Sequence, residues 1–354
     1  MKTAKSLYRS KEKIDARYRS ISLAIILVAC VGVLIPMLYM IGGSLSSKQV
    51  IRTVPTSIIP LEGKQVVLEG EGIPRNKYFV YMVEIDGAKR ELAYVGKENR
   101  MWVYANPDNP DERYSAPPAT PDDRVAAVRL NWSNYPEALT KSPFPRFIAN
   151  TLFIMVFAVL GTLVSTTLVA YGFSRFYFPG RNIVFIILLS TMMLPAQVSL
   201  IPSFIVFQKL GWYNTWLPLI VPSFFAVSAY NVFLVRQFLM GLPRELDDAA
   251  KIDGCGPIRI LWNVIIPQST PVLVTITVFA IVYWWNEYYY SLIYLHDQVK
   301  FTVALGLQSF DALYFNNNSL KAAATTMMMM PPIILFFIFQ RYFIQGTVVS
   351  GVKG

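Results

Sequence analysis

Side chains able to do acid–base, nucleophilic or metal chemistry are scarce in this chain. It has one histidine, His296, in 354 residues, so neither a histidine-based triad nor a multi-histidine metal site can be assembled. No glycine-rich phosphate loop and no C-x-x-C pair occurs, and the two cysteines, Cys30 and Cys255, offer no disulfide framework. Two stretches stand out. The first is W-W-N-E-Y-Y-Y at 284–290, where Glu287 lies beside Asn286 and among Tyr283 and Tyr290 in an otherwise apolar run. A carboxylate there is costly unless it faces a bundle interior, a watery path or a hydrogen-bonding partner. A translocation-path role and a plain helix-end or interfacial-belt role both stay open. Tyrosine and tryptophan faces also suit sugar rings, which have an apolar side and a polar edge.

The second stretch is 242–271, L-P-R-E-L-D-D-A-A-K-I-D-G-C-G-P-I-R-I-L-W-N-V-I-I-P-Q-S-T-P, with four acids and three bases between two long apolar runs. Such a segment cannot lie in lipid. Residues 244–252 read as an amphipathic helix with Leu246, Ala249, Ala250 and Ile252 available for burial, and Glu245, Asp247 and Asp248 at the end where acids suit the helix dipole. Gly254 and Gly256 break it, Pro257 starts a second helix over 258–266, and Pro267 ends or kinks that one. The small side chains at Ala249, Ala250 and Gly254 would let a second protein approach closely.

The elements that carry these stretches are membrane spans. The chain is 54% hydrophobic and 15% charged, with a mean hydropathy of +0.41, whereas soluble domains carry about 25% charged residues. The net charge of +10 is no nucleic-acid signal, because seven of its Lys and Arg residues crowd the first twenty positions, ahead of an apolar run. That cluster holds the amino terminus in the cytoplasm. The run that follows is longer than a signal-peptide core and is kept as an anchor.

Apolar runs at 21–43, 147–171, 183–207, 216–240, 271–295 and 322–344 predict six spans, each near the roughly 20 residues needed to cross a bilayer. Loop charges orient them. Arg175 and Arg181 lie in 174–182, and Arg244, Lys251 and Arg259 in 242–271, whereas 208–215 holds Lys209 alone. Both basic loops and both termini then face the cytoplasm. Residues 44–146 form an outside loop in which 78–85, 91–95 and 101–104 read as strands, with an irregular or short helical segment around 132–139. The domain reading is a basic tail at 1–20, a first span at 21–43, the loop with its β-rich insert at 44–146, and a five-span core at 147–345. Within that core lies the polar segment 241–271, and a tail follows at 346–354. No internal repeat is visible. Met327 to Met330, followed by Pro331 and Pro332, reads as soft packing with a proline kink.

The polar segment resembles the EAA motif of type I ABC importer permeases, here as Asp248-Ala249-Ala250, Asp253-Gly254 and Val264-Ile265-Ile266-Pro267. It departs by Asp248 for Glu, Cys255 for Ala and Ile266 for Leu. N-T-L-F at 150–153, A-Y-G-F-S-R at 170–175, I-P-S-F at 201–204, W-N-E-Y at 285–288 and G-V-K-G at 351–354 are similar to the carbohydrate-uptake branch of that family. The resemblance implies an all-α polytopic membrane protein with six transmembrane helices of that fold, carrying its β-rich insert outside the cell between the first two spans.

It further implies that Glu245, Asp248, Ala249, Ala250, Asp253, Gly254 and Pro267 dock with and couple to an ATPase, and that the terminal tail touches it too. Tyr283, Asn286, Glu287 and Tyr290 are the translocation-path candidates. Implied partners are a second homologous permease subunit, two cytoplasmic ATP-binding subunits and an extracytoplasmic solute-binding protein, in a bacterial cell membrane. The chain binds no cofactor or metal; ATP is used by the partner. The cargo expected is an oligosaccharide or related sugar, or alternatively a sugar phosphate such as glycerol phosphate. A secondary carrier would need titratable relays across the bilayer, and none is visible. No role is carried over for residues 61–121.

Overall fold

The computed structural model describes residues 2–46, 58–98, 100–120, 123–313 and 318–348, with side chains described for these except 2–17, 61, 196, 309–313 and 341–348. The expected tail at 346–354 lies outside the described residues from 349 onward. The chain is mostly helical and divides into two compact units, 1–138 with 314–326, and 139–313 with 327–354.

In the first unit, helix α1 (Lys2–Ser44) runs through Pro36, and its stretch Tyr18–Ser44 is long and apolar enough to cross a membrane. The last carbonyls of a helix have no partner within it. Here the buried amide of Asn134, in α2 (Asn134–Lys141), donates to the carbonyls of Ser44 at 2.7 Å and Ser46 at 2.9 Å.

Between α1 and α2 the described residues form seven strands: β1 (Leu61–Gly63), β2 (Gln65–Gly70), β3 (Ile73–Ile85), β4 (Ala88–Glu98), β5 (Met101–Ala105), β6 (Arg113–Ala116) and β7 (Ala126–Val128). Strands β2 to β6 make an antiparallel meander in chain order, and β1 pairs with β7. The β3–β4 hairpin turns on Asp86 and Gly87, both with positive φ (51° and 78°), as the mirror-image two-residue turn requires. Neighbouring Val80 and Tyr81 are both buried, since the sheet packs one core around Val80 and Ala93 and another around Tyr81, Leu92 and Tyr104. β2 and β6 carry too many polar residues to read as strands by composition, and β3 begins at Ile73 rather than 78, through polar residues paired to β2.

The second unit is organised around α3 (Phe144–Arg175). It continues as α4 (Arg181–Ser190), α5 (Ala196–Lys209), α6 (Leu217–Ile220), α7 (Ala229–Met240), α8 (Glu245–Ile252), α9 (Pro257–Gln268), α10 (Thr270–Trp285), α11 (Tyr289–Tyr294) and α12 (Val303–Leu313); the last helix, α13 (Asn318–Val348), belongs to it from Met327 onward. Among the described residues four stretches are long and apolar enough to cross a membrane, Tyr18–Ser44, Phe144–Arg175, Leu217–Met240 and Asn318–Gln340, and the count rises to six if each of two bent pairs, Arg181–Met193 with Gln197–Lys209 and Pro257–Gln268 with Thr270–Trp285, is one span.

Several of the expected spans are broken rather than continuous helices. The run at 183–207 turns by 101° between Met193 and Gln197. Leu194, ahead of Pro195, is extended with ψ 124°, because a residue before proline is pushed out of the helical region. In the run at 216–240 a 3₁₀ turn and Ala226, at φ 52°, separate α6 from α7. The run at 271–295 stays helical only to Trp285, then breaks at Asn286 and resumes as α11.

Close helix approach is set by two glycines. A methyl group on Gly161 would lie 2.6 Å from the Phe224 ring, and one on Gly306 would lie 2.1 Å from the Phe147 ring. Small residues at such crossings let backbones meet.

Candidate functional site

The polar segment folds as a helix, a sharp turn and a second helix. α8 ends on Gly254 at φ 78°, with Gly254 N–H donating to Lys251 O at 2.9 Å and Cys255 N–H to Ala250 O at 2.9 Å. This is the left-handed helix stop that glycine takes without a Cβ penalty. Pro267 was expected to end or kink the second helix, 258–266; α9 runs on to Gln268, and the chain then bends by 81° into α10. The turn at Leu261–Ile265 is π-wound. The wider winding relieves the clash a proline makes with the preceding turn.

The inner side of this segment is fastened to the end of α3. Arg175 Nε lies 3.2 Å from Asp247 Oδ2, and both side chains are almost fully buried. The Arg175 Nη atoms donate to the Leu242 carbonyl at 3.2 and 3.3 Å, and Tyr171 OH donates to the Pro257 carbonyl at 3.2 Å. One turn of α3 therefore holds the segment ahead of α8 and again after it. Ala250, Ile260, Leu261 and Ile265 pack into one core with Tyr171, Val235 and Ile276.

The outer side is open. Glu245, Asp248, Ala249, Asp253, Gly254 and Pro267 are exposed, and Ile252 (87%), Ile258 (73%) and Trp262 (61%) present apolar surface. Two readings change. Ala250, expected at the docking face beside Ala249, faces inward because α8 turns that side onto the core. Ile252, read with Leu246, Ala249 and Ala250 as available for burial, is exposed. Asp247 was read from the sequence only as a helix-dipole acid; its pairing with Arg175 was missed, although A-Y-G-F-S-R already drew attention to that arginine.

A second feature lies deeper in the same unit. A half-open cavity of about 600 Å³ lies among α3, α5, α6, α7, α10 and α11. Tyr283 and Tyr290 line it, with hydroxyls from Thr162 and Ser203. Tyr283 is half exposed, and Tyr290 stacks on Tyr294, whose hydroxyl is 2.8 Å from Ser203 Oγ.

Asn286 and Glu287 sit at the break after α10, where the Glu287 carboxylate accepts from the Tyr283 hydroxyl behind that wall. Asn286 Nδ2 donates to Val282 O at 2.8 Å at the end of α10. Glu287, 6% exposed, accepts the Tyr290 N–H on Oε1 at 2.6 Å, and its carbonyl accepts from Ser291 Oγ and Thr302 Oγ1, each at 3.3 Å. The carboxylate thus caps the start of α11. Nearby, Trp285 Nε1 donates to Met328 O at 2.9 Å. Among the described residues no group of three or more His, Cys, Asp or Glu side chains is arranged to hold a metal ion.

Residues 166–349 match the family described as "Binding-protein-dependent transport system inner membrane component". The arabinooligosaccharides transport system permease protein AraQ of Bacillus subtilis (strain 168) is 34% identical over 209 residues, 59% of this chain and 74% of that one. The sn-glycerol-3-phosphate transport system permease protein UgpE of Yersinia pestis bv. Antiqua (strain Antiqua) is 35% identical over 169 residues, 48% of this chain and 59% of that one. In three dimensions the chain shares its fold with a chain of a bacterial ABC transporter involved in the import of the acidic polysaccharide alginate. The TM-score is 0.63 at 23% identity, over 92% of this chain and 97% of that one. The chain belongs to the binding-protein-dependent transport system inner membrane component family: it is a multi-pass permease subunit of a type I ABC importer, a transporter component rather than an enzyme.

Proposed function

We propose that this permease forms half of the pathway by which an ATP-driven importer takes up an oligosaccharide or related sugar. The reading takes α4 with α5 as one span and α10 with α11 as another, giving six with the four other stretches, with the strand-rich loop at 44–146 outside, the core at 147–345, and the basic tail, the segment 241–271 and the terminal tail at 346–354 in the cytoplasm. A second related permease completes the pathway, two ATP-binding subunits drive it, and a solute-binding protein delivers cargo from outside. This chain itself binds neither ATP nor another cofactor.

The observation that carries the reading is the two-sided build of the 242–271 segment. Its inner side is locked to α3 by Arg175 and Tyr171, and its outer side offers Ile252, Ile258 and Trp262 to another protein. In this account Glu245, Asp248, Ala249, Asp253 and Gly254 meet the ATPase, Ala250 and Pro267 keep the helices in place, and the movement of the ATPase reaches the spans through α3. Tyr283 and Tyr290 face the path, and Asn286 and Glu287 shape the helix break that positions them.

Carbohydrate as cargo is supported by AraQ, a permease for arabinooligosaccharides by name. A sugar phosphate is the second reading, supported by the match to the glycerol-phosphate permease UgpE. The test is reconstitution of the complex that copurifies with this chain. ATP-dependent uptake of labelled neutral oligosaccharides into proteoliposomes is expected; carbohydrate uptake that proceeds without ATP, or none at all, would refute the proposal.

A further inference from the structure

We propose that Arg181 and Arg236 bind the phosphate of an anionic phospholipid, whose headgroup bridges the start of α4 and the end of α7. Phe185 lies one turn beyond Arg181 on the same side of α4, and the Arg236 guanidinium lies 4.0 Å over its ring. Arg181 is near enough for its charge to act on Arg236. Both side chains are half-buried.

Two neighbouring cations call for a counter-charge. Among the described residues neither arginine has a carboxylate at ion-pair distance, in contrast to Arg175, which is paired with Asp247. The Nε of each is buried without a hydrogen-bond acceptor, and Arg181 gives Nη1 to the Phe176 carbonyl at 3.1 Å. α4 opens on Gly180 with no side-chain cap and no acid in its first turn, which leaves the positive end of the helix beside the pair. Guanidinium forks match a phosphate with paired hydrogen bonds.

The surroundings assign that phosphate to a lipid. Ile183 (65% exposed), Ile186 (61%) and Ile187 (59%) make an apolar stripe on α4 next to Arg181, a seat for an acyl chain. Tyr177 is 90% exposed, with the Arg181 guanidinium 5.9 Å from its ring centre, as suits a tyrosine at headgroup level. In the orientation proposed above the pair faces the cytoplasmic leaflet, whose anionic lipids attract such basic pockets. α7 ends at Met240, just beyond Arg236, so a lipid joining α4 to α7 braces the helix that leads into the 242–271 segment.

The experiment counts lipid retained by the assembled complex in native mass spectrometry from detergent, with dioleoylphosphatidylglycerol, dioleoylphosphatidylcholine or sodium phosphate added. Arg181→Gln and Arg236→Gln remove one charge each, and copurification of partners is the control for assembly. The parent is expected to retain phosphatidylglycerol over phosphatidylcholine, with apparent affinity lowered about fivefold in each variant and no displacement by sodium phosphate. Equal retention of the two lipids by the parent overturns the proposal without any variant, as does unchanged retention of phosphatidylglycerol in both variants. Displacement by sodium phosphate would give the site to a free anion, and loss of the second permease from a variant that still binds phosphatidylglycerol would give the arginines to a partner's carboxylate; either result also overturns it. Binding is read in detergent, so the result is independent of which way the chain faces and of what the importer carries.

Discussion

The indole Nε1 of Trp285 donates to the carbonyl of Met328 at 2.9 Å, and Met328 is four residues before Pro332, which has no N–H to give it. The helix break at W-N-E-Y and the methionine–proline tract are therefore one device. The break frees α10 to end on a tryptophan, and the proline leaves a carbonyl for that tryptophan to reach.

Trp285→Phe keeps most of the ring and deletes the donor, so it should destabilise by about 1–3 kcal/mol. Pro332→Ala restores a helical N–H to Met328 O, so the double variant should recover much of that loss. Thermal midpoints of the purified protein in detergent measure both, and equal losses in the single and double variants would break the link.

Arg175 and Asp247 form a buried pair, 6% and 9% exposed. Removing one partner strands the other, so Arg175→Met or Asp247→Asn is expected to cost about 3–5 kcal/mol. Arg175→Met with Asp247→Leu should be milder than Arg175→Met alone. Stability and partner copurification report this; additive losses would argue that the two groups act separately.

Much of the site's frame was legible before any coordinates. The two short helices around Gly254 follow from a polar pattern between apolar runs, and the strand at 78–85 from its aromatic and β-branched residues. Interactions between distant segments were not legible. Nothing local says that Asp247 turns inward to Arg175, or that Ala250 rather than Ile252 is buried, because one helical stripe is apolar on either choice and only the neighbouring α3 decides. The bends at Pro195 and Asn286 were hidden for a related reason. Hydropathy measures how apolar a run is and not where it is straight.

Gly306→Ala places a methyl group 2.1 Å from the Phe147 ring. The ring must move in a packed crossing, and overpacking of this kind costs about 1–3 kcal/mol. Lower thermal stability is expected, with partial recovery in Gly306→Ala/Phe147→Leu. A single variant as stable as the parent would show that the crossing is loose.

Asp297 accepts from Asn214 Nδ2 at 2.7 Å and from Lys300 Nζ at 3.1 Å. These bonds, the Asn214 amide foremost, hold its carboxyl below the ordinary carboxylate range. A depressed folded value means the contribution is fully present above the unfolded pKa of about 3.9 and is lost as pH falls through the lower, folded value. Hydrogen exchange at 296–301, corrected for intrinsic rate, should therefore lose protection between about pH 5 and about pH 2 in the parent but not in Asp297→Asn. Identical profiles would remove the carboxylate from the account.

The central claim is that the segment around Gly254 transmits ATPase movement to the spans. Gly254 sits at φ 78°, and its N–H donates to Lys251 O. Gly254→Pro forbids both, because proline is fixed near φ −65° and lacks the donor. The deciding measurement is the ratio of sugar taken up to ATP hydrolysed in proteoliposomes containing the assembled Gly254→Pro complex. The account predicts that hydrolysis persists while uptake per ATP collapses; uptake per ATP equal to the parent's would contradict it.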